Sequence, residues 1–409
     1  MDLKGVRMGK REKVLIVHNY YQIPGGEDTV VSNEKKVLEK NGHEDVIYTR
    51  HISELKSFSK LDKICLPFST IFNFRTYKEI KKIIRKENIE IVHVHNTLNL
   101  VSPSVYYAAV HSHVPVIQTV HNFRLLCPGA TFFRDGHVCE DCLSKGLSCA
   151  VKNKCYRGSR IQTLACVVST IIHRTLKIYG KLNYICLTEF NKEKLLHLKQ
   201  IKKEKVFVKP NFVEAAKEIV PYEQRKDQFV YVGRLEEIKG MDILLGAWKL
   251  MGKNAPKLLM CGKGPLEEWC HTFITENKLE NVEMLGFVPN EQVRELVGKS
   301  KALILPTQVY EGFPMTIAES FAAGTPVIGS DLGNTGILIE NGKNGWKFQP
   351  KSIDELAEAV QKIRESFDGL DEEMICKYSA EKNYEQLRNI YEASCNHYLY
   401  SCTLPCGFF

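Results

Sequence analysis

Twice along this 409-residue chain, short apolar runs alternate with stretches of helical period. The first series is KVLIVH (13–18), EDVIYT (44–49), IEIVHVH (89–95), PVIQTVH (115–121), YICLT (184–188) and KVFV (205–208). The second starts after a polar stretch, EAAKEIVPYEQRKDQ (214–228). It runs FVYVG (229–233), KLLMCG (257–262), VEMLG (282–286), ALILP (302–306) and PVIGS (326–330). Strands with few polar interruptions, separated by helices, belong to parallel sheets covered on both faces. Two series predict an α/β protein of two doubly wound, Rossmann-like domains. The length agrees, since 409 residues exceed one ordinary core. The expected division is 1–213, with an insertion at 123–160, then 214–378, then a helix and tail at 379–409 that can cross back to the first domain. Two such domains facing each other enclose a cleft, where ligands commonly bind.

Composition narrows the class. Apolar content of 44% and charged content of 25% describe a soluble globular protein. No run reaches the roughly 18 to 20 apolar residues that span a bilayer. The opening MDLKGVRMGKREK is polar and reads as no secretion signal. Fourteen cysteines then imply reduced thiols and a cytoplasmic setting. Charge is uneven: residues 1–213 hold 35 Lys+Arg against 19 Asp+Glu, giving +16, and the remaining 21 against 29 give −8. A basic first half suits an anionic surface such as lipid headgroups, phosphorylated substrate or nucleic acid. Its densest cluster, TYKEIKKIIRKEN (76–88), sets Ile80, Ile83 and Ile84 on one helical face. That face fits a membrane interface, and equally fits an ordinary helix packed on a sheet.

The most specific motif is EGFPMTIAE, in which seven residues separate Glu311 from Glu319. The apolar KALILP precedes it and PVIGS follows, so it forms a strand–loop–helix–strand unit. Pro314 opens the helix and Gly324 closes it. Glu311 then lies in the loop at a strand's C-terminal end, the edge where open α/β sheets bind ligands, and Glu319 lies in the helix. The first N–H groups, across Gly312, Phe313, Pro314, Met315 and Thr316, favour an anion at the same edge (Pro314 has none).

Other strand tips add candidates. Gly233 and Arg234 end one strand, and Lys239 follows five residues after Arg234. An Arg fork and a Lys point charge suit a diphosphate, although two basic loop residues are often only surface. Gly262 and Gly264 flank Lys263 in a tight turn. Gly286-Phe287-Val288-Pro289 is another strand-tip turn, open to a planar base. In the first half, Gly25 and Gly26 precede Glu27, allowing close backbone approach or a plain turn. His121 ends a strand. His18, His93 and His95 also lie at or near strand ends and read as hydrogen-bonded core.

Taken together these residues resemble the family-four retaining glycosyltransferases, whose hallmark is the Glu-x7-Glu element with the upstream Gly-Arg and Lys. The resemblance spans nearly the whole chain: GGE at 25–27, GHEDV at 42–46, PNFV at 210–213, GRLEEIKG at 233–240, GFVP at 286–289, EGFPMTIAES and GTPVIGSD. TVHNFRLLCPGATFFRDGHVCEDC further resembles bacterial members of capsule and exopolysaccharide assembly. The resemblance implies the glycosyltransferase type B fold and a nucleotide-diphosphate sugar donor. It implies a glycan or lipid-pyrophosphate-linked acceptor and no metal requirement in catalysis. Arg234 and Lys239 would hold the diphosphate, Glu311 the sugar hydroxyls and Glu319 the ribose. Gly233, Gly262, Gly264 and Phe287 would border the donor, His121 the reacting sugar carbon, and Gly25, Gly26 and Glu27 the acceptor side. One departure stands out: the usual Gly-Gly-x-Pro-Glu pattern is Gly333-Asn334-Thr335-Gly336-Ile337 here. The implied location is cytoplasmic, including the cytoplasmic face of the plasma membrane.

Cys127, Cys139, Cys142, Cys149 and Cys155 fall within 29 residues. Four of them could staple the insertion through a structural zinc, and a loop of free thiols is the other reading. A zinc module on a basic half would suit nucleic-acid binding, but that reading leaves Glu311, Glu319 and Arg234 without a role. A nucleotide-sugar epimerase or a phosphorylase on the same fold is the remaining alternative.

Overall fold

The computed structural model describes residues 11–22, 25–98, 100–216 and 218–403. The polar opening at 1–10 and the tail end at 404–409 lie outside the described residues. The chain forms two compact units. The first takes the described residues up to Gly129, Asp141–Lys209 and the chain from Tyr384 on. The second takes Ala130–Glu140 and Pro210–Asn383. Numbering along the sequence therefore differs from spatial division at two places. The stretch 130–140, inside the cysteine-rich insertion, groups with the second unit. The last helix, Ala380–Thr403, carries Leu387, Ile390 and Tyr391 into the first unit's core beside Val14, Ile16, Val31 and Ile117.

The first unit has a six-stranded parallel sheet. Its spatial order is Asp45–His51, Val14–Tyr20, Ile91–Val94, Val116–Val120, Asn183–Cys186, Val206–Val208. Counted within the unit this is 2-1-3-4-5-6. Chain direction across the sheet reverses between its first and third strands, which makes that pair the switch point where such sheets bind ligands. The helix Phe74–Glu87 buries Ile80 and Ile84 against this unit, with Asn73 capping its start and Asn88 closing it in the left-handed region. Of the Ile stripe of the basic 76–88 segment, Ile80 and Ile84 are thus core and Ile83 is half-buried, and its cations form the outer face.

The second unit also has six parallel strands, ordered Val282–Gly286, Lys257–Cys261, Lys226–Val232, Ser300–Leu305, Val327–Ser330, Gly345–Phe348. This is order 3-2-1-4-5-6, with the switch point between Lys226–Val232 and Ser300–Leu305. Trp248, Phe229, Tyr231, Leu244 and Val360 fill the core between that sheet and its helices. Lys226–Val232 starts three residues before the apolar run, because Lys226 and Asp227 extend the strand toward solvent. Gly345–Phe348 is an added edge strand. Its sequence GWKF is too short and half-polar to announce itself, and only pairing with Val327–Ser330 makes it a strand.

Candidate functional site

In the second unit, the loops that leave the two switch-point strands meet. Lys226–Val232 leads into Gly233, Arg234 and the 3-10 turn Glu237–Lys239, and Ser300–Leu305 leads into Thr307 and Glu311. Lys239 Nζ donates to Glu311 Oε1 at 2.6 Å, and Thr307 Oγ1 donates to the same oxygen at 2.8 Å. Gly240 allows this approach: its φ is +71°, and a β-carbon there would lie 2.1 Å from the Pro306 carbonyl oxygen. Asn334, fully buried, donates from Nδ2 to the carbonyls of both Glu311 and Gly312 at 2.6 Å each. The Glu311 loop is therefore held from below by a side chain and from one flank by a cation.

Pro314 precedes the helix Met315–Ala322, and no side chain caps its start. The N–H groups of its first turn are of the kind that attract anions. Phe313 is buried edge-on against Tyr378 and anchors the turn. One turn further on, Glu319 lines a pocket with Thr316, Val232, Asn290 and Arg294. Burial raises the Glu319 carboxyl above the ordinary range, and Arg294 opposes that. Arg234 is 74% exposed and pairs with Glu236, while its carbonyl accepts from the Tyr231 hydroxyl at 2.8 Å. Phe287 is also 74% exposed, next to Gly286 with φ +63°. Gly262 and Gly264 pack backbone on backbone. β-Carbons there would lie 1.8 Å from the Gly233 oxygen and 2.4 Å from the Leu235 oxygen. Leu235 N donates to the Lys263 carbonyl at 3.1 Å, so this turn braces the Gly233–Leu235 loop.

The first unit's switch point has different chemistry. Glu34 is buried in the helix Gly26–Lys40 and receives Lys209 Nζ at 3.2 Å. His93 Nδ1 and His95 Nε2 lie 3.0 and 3.3 Å from its other oxygen. His95 Nδ1 and His121 Nε2 are 3.0 Å apart with their rings stacked. His93 also meets the Tyr391 hydroxyl at 2.9 Å and Thr119 Oγ1 at 2.7 Å. Burial pushes His95 down to about 4, helped by neighbouring His93. His121 is held well below its usual range by burial and by His95. Burial alone would raise the Glu34 carboxyl, yet Lys209, His93 and His95 together bring it well below the carboxylate range. Glu34, His93 and His95 have metal-ligand spacing, but Lys209 already supplies the positive charge an ion would bring.

Glu27 accepts from Asn122 Nδ2 at 2.8 Å and from the Tyr21 hydroxyl at 2.9 Å, and burial raises its carboxyl. Gly25 has an extended backbone (φ −123°), and a β-carbon there would meet nothing within 4 Å. Neither backbone angle nor packing within the unit explains this glycine. Gly26 starts the helix beside it. His121 and Asn122 line a pocket with Asn96, Arg124, Cys166 and Ser169. Of the five insertion cysteines, Cys127 is buried and the others are half-buried. Cys139 belongs to the stretch grouped with the second unit, and the other four to the first. Among the described residues no three of these sulfurs converge within reach of one ion.

Residues 212–382 match the family described as Glycosyl transferases group 1, and residues 24–138 match Glycosyltransferase Family 4. Both matched families are, by their descriptions, families of glycosyltransferases. MJ1178 of Methanocaldococcus jannaschii, an uncharacterized glycosyltransferase, is 24% identical over 410 residues, covering 93% of this chain and 98% of that protein. The lipopolysaccharide outer core galactosyltransferase WaaB superposes with a TM-score of 0.64 at 19% identity, over 95% of this chain and 99% of that one. Anabaena HepE, solved with UDP and glucose, gives 0.55 at 15% identity, over 96% and 100%. These likenesses establish the two-domain type B fold.

Sequence reasoning missed Thr307, Asn334, Arg294 and Glu34. Thr307 and Asn334 act on Glu311 from separate strand ends, which no local spacing links. The departure from Gly-Gly-x-Pro-Glu was the available signal for Asn334. Ile337, where the family pattern has Glu, is 52% exposed.

Proposed function

We propose that this enzyme moves a sugar, with retention of anomeric configuration, from a nucleotide-diphosphate sugar to a glycan or lipid-linked acceptor in surface polysaccharide synthesis. The observation that carries the reading is the meeting of Lys239, Thr307, Glu311 and Asn334 beside an uncapped helix start, at the second sheet's switch point. That set suits an anionic, hydroxyl-rich ligand. Lys239 and Arg234 would hold the diphosphate and stabilise it as charge grows on the leaving oxygen. Glu311, oriented by Thr307 and Asn334, would accept from sugar hydroxyls. Glu319, half-buried and facing Thr316, would accept from ribose hydroxyls. HepE's complex with UDP and glucose and WaaB's galactosyltransferase activity support donor and reaction class.

In the proposed step the bond from sugar C1 to the diphosphate oxygen breaks. The acceptor oxygen bonds C1 on the same face, and its proton passes to the departing phosphate. His121, held neutral, is the first unit's candidate catalytic group. Incubating purified protein with a panel of nucleotide sugars should release nucleoside diphosphate from one of them. Proton coupling constants of the product linkage then read retention directly. No release from any donor, or an inverted linkage, would refute the proposal.

A further inference from the structure

In the first unit, the helices Lys60–Ile71 and Arg160–Thr175 pack on one another, and His173 Nε2 on the second donates to the Ile71 carbonyl at 2.9 Å. Arg160–Thr175 is apolar on two faces. One face, including Cys166, Val167 and His173, is buried. The other exposes Ile161 (78%), Leu164, Ile171 and Ile172, with Leu176 (58%) just beyond the helix end. Positions 161, 164, 171 and 172 fall on one side of a 3.6-residue helix. Phe68 on the partner helix is 72% exposed, and Phe74, shortly after it, is 71% exposed. Large apolar side chains concentrated this way mark an interaction surface.

The charge around them selects the partner. From Cys142 to Thr188 the chain carries eight Lys and Arg and no Asp or Glu. Lys152, Lys154, Arg157, Arg160 and Lys177 are all exposed. A two-fold contact with a second copy would set this basic segment against itself. Anionic headgroups would instead neutralise the cations while the apolar stripe enters the acyl boundary. No helix among the described residues is long and apolar enough to cross a membrane. The same two helices supply Thr70, Cys166, Ser169 and Thr170 to the pocket that His121 also lines.

We propose that the paired helices Lys60–Ile71 and Arg160–Thr175 form an interfacial docking face that seats the first unit on an anionic bilayer. Of the two readings of the 76–88 helix, the burial of Ile80 and Ile84 favours the ordinary packed helix over the membrane contact. Docking itself does not depend on the donor reaction. The further step, that this face brings a lipid-linked acceptor to the His121 pocket, rests on the function proposed above.

Flotation of the full chain with vesicles of phosphatidylcholine, with and without phosphatidylglycerol, tests it. The chain should float with the anionic vesicles and stay behind with the neutral ones. Ile161→Glu/Ile171→Glu should lower anionic-vesicle binding at least roughly tenfold, with thermal midpoint and donor hydrolysis unchanged. Arg157→Gln/Arg160→Gln should weaken binding and flatten its salt dependence. Undiminished binding by Ile161→Glu/Ile171→Glu, or equal binding to neutral vesicles, would overturn the proposal. So would a wild-type dimer that this variant makes monomeric while vesicle binding persists. If docking holds but no donor is cleaved, the functional reading fails and this inference stands.

Discussion

Both units are six-stranded parallel sheets, yet their switch points differ in kind. The first is closed. Its acid and its cation, Glu34 and Lys209, are buried together, and burial holds His95 and His121 below their usual range. The second is open. Arg234 reaches solvent, Lys239 and Glu311 keep 22% and 17% of their side chains exposed, and a helix start stands uncapped. One architecture therefore serves two electrostatic tasks, a buried, internally paired network and a charged receptor. Which task a unit performs depends on how deeply its loop ends sit.

Breaking the closed network should give the largest effect. Lys209→Met removes the one permanent cation beside the buried Glu34 carboxylate and should destabilise the fold by about 3–5 kcal/mol. Urea unfolding reads this, and adding Glu34→Leu should recover most of the loss. An unchanged midpoint in Lys209→Met would erase the contrast. The open site should behave oppositely. Lys239→Ala should lower turnover by about 10²–10³-fold with little change in unfolding midpoint, read by diphosphate release. Glu319→Ala should lower turnover likewise.

The contrast also predicts a pH dependence. His95 titrates at about 4 in the folded protein and near 6.5 unfolded. The unfolded chain binds the extra proton between those values. Stability is therefore complete above 6.5 and falls as pH drops toward 4. His95→Gln should flatten that slope in a urea series, whereas Lys239→Ala should leave it intact. A smaller effect belongs to Asn334→Ala, which frees two carbonyls and should destabilise by about 1–3 kcal/mol with a parallel fall in activity. Gly25→Ala should be the mildest for stability, since its β-carbon meets nothing. Any loss of turnover there would locate a ligand approach at that helix start.

Much of this was legible in the chain. Apolar runs of strand length located eleven of the twelve strands in the two six-stranded sheets, and the missing one, Gly345–Phe348, is a short half-polar edge. Glu311 and Lys239 could be singled out because each closes a strand–loop unit whose order along the chain is its order in space. Glu319, five residues into the same helix, was equally visible. The histidines at 93 and 95 read as hydrogen-bonded core, and their partners confirm that.

The sequence by itself determined the two sheets, their helices and the strand tips that carry polar groups, because periodicity and turn chemistry are local. Only the tertiary structure decided the partners. It set Asn334 beneath Glu311, Lys209 against Glu34 from 175 residues away, and Tyr391 beside His93. It also buried Ile80 and Ile84 of the 76–88 helix and left Ile161, Leu164, Ile171 and Ile172 in the open. Such pairings follow from which faces the sheets cover, and burial is a property of the packed molecule that no stretch of chain possesses alone.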